Sequence, residues 1–290
     1  MEKEIAPSEL IINSDNSIFH LHIKPELLTD NIILVGDPAR VDLVASFFDT
    51  KTAEVSNREF HTICGTYKGK PIMCLSHGIG ADNIDIVVNE LDALANIDFA
   101  TRTIKKDFRQ LTMVRIGTSG SIQPDIPVGS MVIAKKALGI DGAFHFYQNS
   151  EKYRDIEFEN EFIRQCNWNP IWNHPYVVNA DDELSERLAT PEMYKGVTIT
   201  ANGFYGPQGR ELRLKIADEN YKEHLHNFIF NGQRITNFEM ESAMLQGLAK
   251  LMGHKAVTIC SIIAGRMTNT ASTNYKGTIE HLIETVLNKL

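Results

Sequence analysis

The chain has 290 residues, of which 43% are hydrophobic and 23% are charged, so it can bury the core of one large domain. Its net charge is -8 and its lysines and arginines are scattered, which excludes a broad basic surface for nucleic acid. Any anion site must therefore be local. The four cysteines show neither C-x-x-C nor zinc-ligand spacing, which indicates buried thiols in a reducing compartment and no metal site.

We expect a single domain over residues 1–290 and no segment in it that directs export. Residues 1–17 are a polar N-terminal extension without an apolar core or a cleavage site. No run of about 18 apolar residues occurs, so no membrane partner is expected. These features predict a cytoplasmic protein.

The first strong pattern along the chain is a strand, a glycine turn and a helix. Residues 31–35 form a β-branched run, and an apolar repeat with helical spacing follows. Pro38 fits the first helical position, so Gly36 lies at a helix N-terminus, where free N–H groups and the helix dipole favour an anion. Arg40 falls within the first turn. The alternative is that this turn is only a helix cap and that Arg40 is a solvated charge.

A hairpin and a helix are predicted next. Residues 60–67 and 70–75 alternate polar and apolar positions around Lys68-Gly69, which is typical of two paired strands. Arg58 precedes the hairpin, at a strand entry where an arginine is usually unremarkable. The apolar stripe of residues 84–94 predicts a helix that packs on the sheet.

A second glycine turn is predicted after residues 111–114. This β-branched run continues into Arg115 and then into residues 117–120, Gly-Thr-Ser-Gly, which predicts a buried strand that ends in a tight turn. Glycine lets backbone N–H groups approach a ligand, Thr118 and Ser119 add hydroxyl donors, and Arg115 adds a fork that suits phosphate. Such a turn often only changes the chain direction, but two anion signals in one domain favour a real oxyanion site.

The second half of the chain continues to alternate strands and helices. The expected strands cover residues 131–134, 196–200, 234–238 and 256–264, and the expected helices cover 182–188, 239–251 and the end of the chain from Ser272. Residues 144–175 form an aromatic and polar excursion with one helix, which serves as a subunit contact or a lid. The alternation predicts an α/β fold, a three-layer α/β/α sandwich with a mixed, Rossmann-like central sheet.

Two further segments carry side chains that suit a planar heterocycle and a polar ligand. One loop combines Phe204 with Gln208 and Arg210, which can stack on a ring and hydrogen-bond its edge. The alternative is a glycine-proline loop with stray polar residues. Glu239 and Glu241 fall in a predicted first helical turn, where paired carboxylates ordinarily complement the helix dipole.

Six spaced motifs together resemble the nucleoside phosphorylase family, with the uridine phosphorylases as the most similar branch. The motifs are Phe19-His20-Leu21, Gly36 to Arg40, Arg58-Glu59-Phe60, Arg115 to Thr118, Phe204 to Arg210 and Glu239 to Ser242. The similarity runs from Phe19 to the C-terminus and is weakest between residues 146 and 175. It implies reversible phosphorolysis of uridine to uracil and ribose 1-phosphate, in pyrimidine salvage. It also implies no metal and no cofactor, since phosphate is a co-substrate.

The resemblance assigns a role to each motif. It implies phosphate binding by Gly36, Arg40, Arg58, Arg115 and Thr118, ribose binding by His20, Met240 and Glu241, and base binding by Phe204, Gln208, Arg210 and Arg266. The implied catalytic residues are Arg115, Gln208, Arg210 and Glu241. Because His20 and Arg58 come from a neighbouring subunit in this family, the resemblance implies a homo-oligomer whose active site is incomplete in one protomer.

Three alternatives stay open beside this expectation. Purine enzymes of the family carry an aspartate after the last core strand, whereas residues 262–267 contain none and Arg266 resembles the uracil-reading arrangement. The nucleosidase branch hydrolyses its substrate and lacks the phosphate arginines that this chain carries. The third alternative is a nucleoside-binding protein on the same fold without activity.

Overall fold

The computed structural model describes residues 3–290, which fold around a twelve-stranded mixed sheet and a separate sheet of two short strands, the fifth and sixth along the chain. The strands are β1 (Asn31–Val35), β2 (Thr50–Asn57), β3 (Phe60–Tyr67), β4 (Lys70–Ser76), β5 (Ile97–Asp98), β6 (Thr103–Ile104), β7 (Thr112–Ser121), β8 (Met131–Gly139), β9 (Tyr176–Asn179), β10 (Met193–Thr200), β11 (Ile229–Phe230), β12 (Gln233–Glu239), β13 (Lys255–Gly265) and β14 (Thr270–Ala271). The α-helices are α1 (Pro38–Ala45), α2 (Ala81–Asn96), α3 (Ile156–Gln165), α4 (Asp182–Leu188), α5 (Tyr221–Asn227), α6 (Ser242–Leu251) and α7 (Lys276–Lys289).

The order of the strands brings several carboxyl ends to one edge of the sheet. The main path runs β11-β12-β10-β8-β13-β7-β1-β4-β3-β2, and β1, β4, β7 and β13 are parallel neighbours. The end of β12 also pairs with the end of β7 in the antiparallel sense, with Phe238 opposite Gly120. The segment after β12 therefore lies beside the last residues of β7.

The core lies on both sides of this sheet. Along β1, Ile32 and Leu34 join one buried cluster, whereas Ile33 and Val35 join another. Strand side chains alternate between faces, so the two clusters occupy opposite faces. Helices α2 and α6 contribute to the first cluster, and α1, α4 and α7 contribute to the second. This mixed α/β fold has the central sheet that the sequence predicts.

Most of the predicted elements are confirmed. The strand before Gly36, the helix after it, the hairpin of β3 and β4, and the strands and helices of the second half all form, most of them with the predicted bounds. Residues 144–175 carry one α-helix, α3, as expected. The terminal helix begins at Lys276 rather than at Ser272. Within residues 3–290, no α-helix combines the length and the apolar character that a membrane span needs.

The predicted tight turn after residues 111–114 is wrong. Strand β7 continues through Gly117 to Ser121, and its last residues still pair with β13. Glycine is needed at 117 for space, because a Cβ atom there would lie 2.5 Å from Arg115 Nη1 and 3.0 Å from Cys260 Sγ. The glycine therefore admits a buried guanidinium beside the strand.

The predicted helix start at Glu239 is also wrong. Glu239 is the last residue of β12, and α6 begins at Ser242. Glu241 occupies the position before the helix. The two carboxylates therefore belong to the junction between a strand and a helix, and neither lies within the first helical turn.

Candidate active site

A cavity of about 930 Å³ lies where β1 ends and along the last residues of β7. Nine of the twelve residues predicted for the site line it, namely Gly36, Arg40, Arg115, Thr118, Phe204, Gln208, Arg210, Met240 and Glu241. The three that do not are His20, Arg58 and Arg266. One concave site thus gathers residues from all three predicted groups, which the chain supplies from distant segments.

The start of α1 forms one wall of the cavity. The Asp37 carboxylate caps the helix by accepting from the Ala39 N–H at 3.0 Å, and Pro38 occupies the first helical position. A Cβ atom at Gly36 would lie 3.2 Å from the Gly78 carbonyl oxygen, so a larger side chain in this turn would require the neighbouring backbone to shift. The N-terminus of α1 consequently faces the cavity in the way that favours an anion.

Arg40, in the first turn of α1, has a guanidinium that makes little hydrogen bonding to the protein. Its only side-chain hydrogen bond within residues 3–290 is a long one, from Nη1 to the Ile116 carbonyl oxygen at 3.4 Å. Burial lowers the pKa of Arg40, and the nearby charge of Arg115 lowers it further. The guanidinium remains charged at neutral pH. It can therefore offer several N–H donors to an anion in the cavity.

Arg115 lies at the centre of a group that we call the buried cluster, formed with His77, Glu239, Glu241 and Cys260. Arg115 is only 4% exposed. Its Nη1 lies 3.0 Å from Glu239 Oε2 and 3.7 Å from Cys260 Sγ, its Nη2 donates to Glu241, and its Nε donates to His77 Nε2 at 3.2 Å. Burial alone would lower the pKa of Arg115, but the two glutamates raise it above its usual value. Four of its N–H donors are thus committed to the protein.

His77 is held as a neutral acceptor. It is fully buried, and burial together with the charge of Arg115 lowers its pKa well below the usual value. Because the Arg115 Nε–H can only donate, the His77 Nε2 atom must accept and the proton resides on Nδ1. No pattern in the sequence predicts this role, since a lone histidine before a glycine is common.

Glu241 lies between a cation and a helix N-terminus. Its Oε1 accepts from the Gly80 N–H at 2.7 Å, just before α2, and its Oε2 accepts from Arg115. Burial raises the pKa of Glu241 to about 7, with Arg115 opposing the shift and Glu239 adding to it. Its carboxyl group therefore changes charge near neutral pH while it faces the cavity.

Residues 204–210, which we call the base loop, form a wall of a different kind. The Arg210 guanidinium lies 3.7 Å above the Phe204 ring, and Nη1 donates to the Phe204 carbonyl oxygen at 2.7 Å and to Gln208 Oε1. Gln208 is 2% exposed, whereas Phe204 is 50% exposed. Burial lowers the pKa of Arg210 to about 10, and the nearby Arg266 charge contributes. The Arg210 Nη1 donors are thus bonded within the loop itself.

Arg266 lies behind the base loop rather than in the main cavity. Its backbone N–H donates to the Ser121 carbonyl oxygen at 2.7 Å, and Nη2 contacts the Gly209 carbonyl oxygen at 3.4 Å. It lines a neighbouring cavity together with Arg210. Its buried Nη1 atom has no hydrogen-bond partner among residues 3–290. Arg266 thus keeps a donor unused close to Arg210.

His20 and Arg58 share another part of the protomer. The Asn57 side chain donates to the His20 carbonyl oxygen at 2.7 Å, and Arg58 follows at the β2–β3 turn with a φ of 57°. The His20 Nδ1 atom lies 2.7 Å from Glu90 Oε1 on α2. Neither residue lines the cavity of its own chain. Their contribution to a neighbouring subunit stays a prediction.

No metal centre is evident in the part of the chain that the structure describes. There, no group of three or more histidine, cysteine, aspartate or glutamate side chains is arranged to hold a metal ion.

Solved structures share this arrangement of strands and helices. The structure of a nucleoside phosphorylase from Trypanosoma brucei, described as showing uridine phosphorylase activity, superposes with a TM-score of 0.88 at 28% identity, over 97% of this chain and 99% of that one. A purine nucleoside phosphorylase from Toxoplasma gondii superposes with a TM-score of 0.65 at 20% identity, over 93% of each chain. The second likeness supports the fold alone.

Sequence comparison gives the same result. A uridine phosphorylase from Thermococcus kodakarensis is 31% identical over 251 residues, which are 87% of this chain and 78% of that protein. A uridine phosphorylase from Haemophilus influenzae is 30% identical over 254 residues, 87% of each chain. The model of the phosphorylase superfamily matches residues 30–288. The chain therefore belongs to the phosphorylase superfamily.

Proposed function

We propose that this protein is a uridine phosphorylase, which converts uridine and phosphate reversibly to uracil and ribose 1-phosphate. The observation that carries the proposal is the single cavity lined by the predicted phosphate, sugar and base residues. The two relatives of at least 30% identity, both uridine phosphorylases, support the choice of substrate. The enzyme is then a phosphate-dependent pentosyltransferase of pyrimidine salvage.

The phosphate is the nucleophile of this reaction, and the protein's first task is to position it. Arg40 offers uncommitted donors, Arg115 keeps one N–H free, and the Thr118 hydroxyl and the α1 N-terminus at Gly36 add neutral donors. A nucleophile that is held in line with the reacting carbon gains a large positioning advantage over one in solution.

The sugar is held by Met240 and Glu241. A phosphate oxygen attacks the anomeric carbon while the glycosidic bond breaks, so the sugar gains positive character. The ionised Glu241 carboxylate accepts from the ribose hydroxyls and stabilises this charge, and it favours ribosides over dideoxy analogues. Since the pKa of Glu241 is about 7, the acceptor form predominates above neutral pH.

The departing uracil gains the electrons of the broken bond. Gln208 and Arg210 donate to this developing negative charge, with Phe204 beside the ring and Arg266 behind the loop. Removal of one preorganised donor of this kind typically costs about a hundred- to a thousandfold in rate. Arg210 also donates to Gln208 Oε1 in the structure, and this contact holds the two proposed donors next to each other.

The proposal includes a site that is shared between subunits. His20 and Arg58 lie together on one edge of the protomer, outside its own cavity, which supports their use by a neighbour. A complementation experiment tests this point: Arg40→Ala and Arg58→Ala proteins are mixed, dissociated, reassociated and assayed at a phosphate concentration too low for either variant alone. Since only a hybrid contains a site with both arginines, about a quarter of the sites should regain activity. No recovery contradicts the shared site.

Three finer features complete the proposal. The reaction uses no cofactor and no metal, with phosphate as co-substrate. The fold is a three-layer α/β/α sandwich in one domain, supported by the two clusters on opposite sheet faces. The protein acts in the cytoplasm, in line with its four cysteines, none of which is in a disulfide.

The central experiment measures base release from uridine with and without phosphate. We expect uracil release that depends on phosphate and produces ribose 1-phosphate in equal amount. Release without phosphate would assign the protein to the nucleosidases, and binding of uridine without turnover would assign it a non-catalytic role.

The purine alternative is tested in the same assay with inosine. Residues 262–267 contain no carboxylate that could protonate a purine ring. We therefore expect uridine turnover to exceed inosine turnover. The reverse ranking would make the protein a purine nucleoside phosphorylase.

A further inference from the structure

We propose that Glu239 is a positioning residue, which holds Arg115 and Glu241 at a fixed spacing and does not touch the substrate. The proposal rests on the proposed phosphorolysis of a nucleoside. Glu239 lies at the junction of β12 and α6, where sequence reasoning treats it as a complement to a helix dipole. It is 3% exposed although it borders the cavity.

The first argument is that the Glu239 carboxylate has no acceptor capacity left. Oε1 accepts from the Thr200 hydroxyl at 2.6 Å and from the Ser242 N–H at 3.0 Å. Oε2 accepts from the Glu241 N–H at 2.8 Å and lies 3.0 Å from Arg115 Nη1. A carboxylate offers about four lone-pair sites, so these contacts fill it. A sugar hydroxyl finds no free acceptor here.

The second argument is that two of these contacts fix proposed active-site groups. One contact orients the Arg115 guanidinium, and another orients the backbone from which the Glu241 side chain extends. Arg115 in turn donates to Glu241. The three residues therefore form a closed ring of contacts, and Glu239 connects this ring to Thr200 and to the first N–H group of α6.

The third argument is that Glu239 joins separate elements of the fold. The Thr200 hydroxyl at the end of β10 donates to Glu239 and accepts from the Ala243 N–H in α6 at 2.8 Å. Strand β10 leads directly into the base loop. A single buried carboxylate thus connects Arg115 in β7 and the ends of β10 and β12 with the start of α6.

The charge of Glu239 provides a readout that a purely structural role would not change. The groups that act on the Glu241 carboxyl are Arg115 on β7, Glu239 on β12, and the N–H groups of Gly80 and Met240. Among them, Glu239 raises the pKa of Glu241. Neutralising Glu239 should therefore lower that pKa, because a neighbouring negative charge is lost.

The experiment compares the wild type with Glu239→Gln at saturating phosphate, with kcat and kcat/KM for uridine measured across pH. We expect kcat to fall about a hundredfold, since a preorganised electrostatic site is disturbed. We also expect the acid limb of kcat/KM to move to lower pH. The proposal is overturned if the acid limb of kcat/KM in Glu239→Gln lies at the wild-type pH, or if kcat of this variant is within about threefold of the wild-type value.

Glu159→Gln is the matched control. Glu159 is as buried as Glu239, pairs with Arg154 and accepts from the Val177 N–H at 2.9 Å, but it does not line the cavity. Its variant should unfold at a lower temperature and keep the wild-type kcat and acid limb. A shift of the limb in this control would show that any buried carboxylate produces it, and would overturn the proposal.

Two additions keep the test decisive. If Glu239→Gln does not fold, Thr200→Val removes one donor to Glu239 and should lower kcat about tenfold, whereas a loss under about twofold overturns the proposal. The wild type is assayed first, because absence of phosphate-dependent turnover rejects the proposed function itself. If the wild type turns over uridine and the acid limb of kcat/KM in Glu239→Gln lies at the wild-type pH, only the role of Glu239 is rejected.

Discussion

The buried cluster and the base loop line the same cavity but are built differently. Arg115 is bonded to groups from several elements, and it and both glutamates are at most 5% exposed. In the base loop, by contrast, Arg210 bonds to its neighbours in the same loop, and Phe204 is half exposed. The part that we propose to hold phosphate and sugar is thus bonded to several elements of the fold before substrate arrives. The part that we propose to read the base is held by contacts within its own loop.

The largest expected effect tests the rigidity of the buried cluster. Arg115→Ala leaves Glu239 and Glu241 without their common cation. We expect at least about a thousandfold loss of kcat/KM and about 3–5 kcal/mol loss in the free energy of unfolding, because buried charges lose their partner. Phosphorolysis assays and denaturant unfolding measure the two effects. Wild-type turnover in this variant would remove Arg115 from the site.

Arg154→Ala separates the two effects of that substitution. Arg154 also pairs with a fully buried carboxylate, Glu159, but lies away from the cavity. Its loss should lower stability and leave kcat of the folded protein unchanged. A loss of kcat in this control would attribute the Arg115→Ala effect to general destabilisation.

The base loop should show the opposite balance, with a large effect on rate and a small one on stability. Gln208→Ala is expected to lower kcat/KM for uridine about a hundred- to a thousandfold, since a donor to the departing base is lost. The free energy of unfolding should change by only about 1 kcal/mol. Steady-state kinetics and thermal unfolding check this. A kcat/KM near the wild-type value would exclude Gln208 from base recognition.

A smaller effect is expected at Arg40, which belongs to neither region. Because its only side-chain hydrogen bond within residues 3–290 is long, Arg40→Ala should hardly change stability. The KM for phosphate should rise about ten- to a hundredfold, since charge-assisted hydrogen bonds to the anion are lost. Initial rates over a range of phosphate concentrations measure it. An unchanged KM would leave Arg115 and Thr118 as the phosphate ligands of this chain.

The smallest effect concerns the charge of Glu241. Its pKa is raised from 4.5 to about 7, so kcat/KM for uridine should fall as pH drops below about 7, at most about tenfold per pH unit. The folded state binds this proton more tightly than the unfolded state. The contribution to stability is therefore present below about pH 4.5 and is lost as pH rises through about 7.

Glu241→Gln is the variant that checks this pH dependence. An amide does not titrate in this range, so the variant should lose both the change in kcat/KM and the change in unfolding temperature between pH 5 and about 8. Phosphate is kept saturating, because its own titration is common to both proteins. Persistence of the full profile in the variant would assign the pH dependence to another group.

The elements of the fold that depend only on residues adjacent along the chain could be predicted from the sequence. The strand, Gly36 and α1 follow one another directly, and their signals are local. The same holds for the hairpin of β3 and β4. At Gly117 the reason for glycine is a side chain packed against the strand and a sulfur on β13, so a local rule predicted a turn where the strand continues.

Only the site residues that belong to local sequence motifs could be predicted. Gly36, Arg40 and the base loop lie where the cavity is, as their sequence patterns suggest. The roles of His77 and Glu239 depend on contacts with Arg115 and Thr200, which come from other strands. No spacing in the sequence shows which strand ends meet. The register of β12 against β7 supplies that information.

Helix α2 joins the interior of the protein to its outer edge. The Gly80 N–H just before its first residue donates to Glu241, and Glu90 farther along it contacts His20, which also bonds to Asn57. About ten residues of helix separate these contacts, a distance of roughly 15 Å along a stiff rod. Any contact that moves α2 at His20 therefore also acts on the donor of Glu241, so a change at the surface of the protein is transmitted to a carboxylate that lines the cavity.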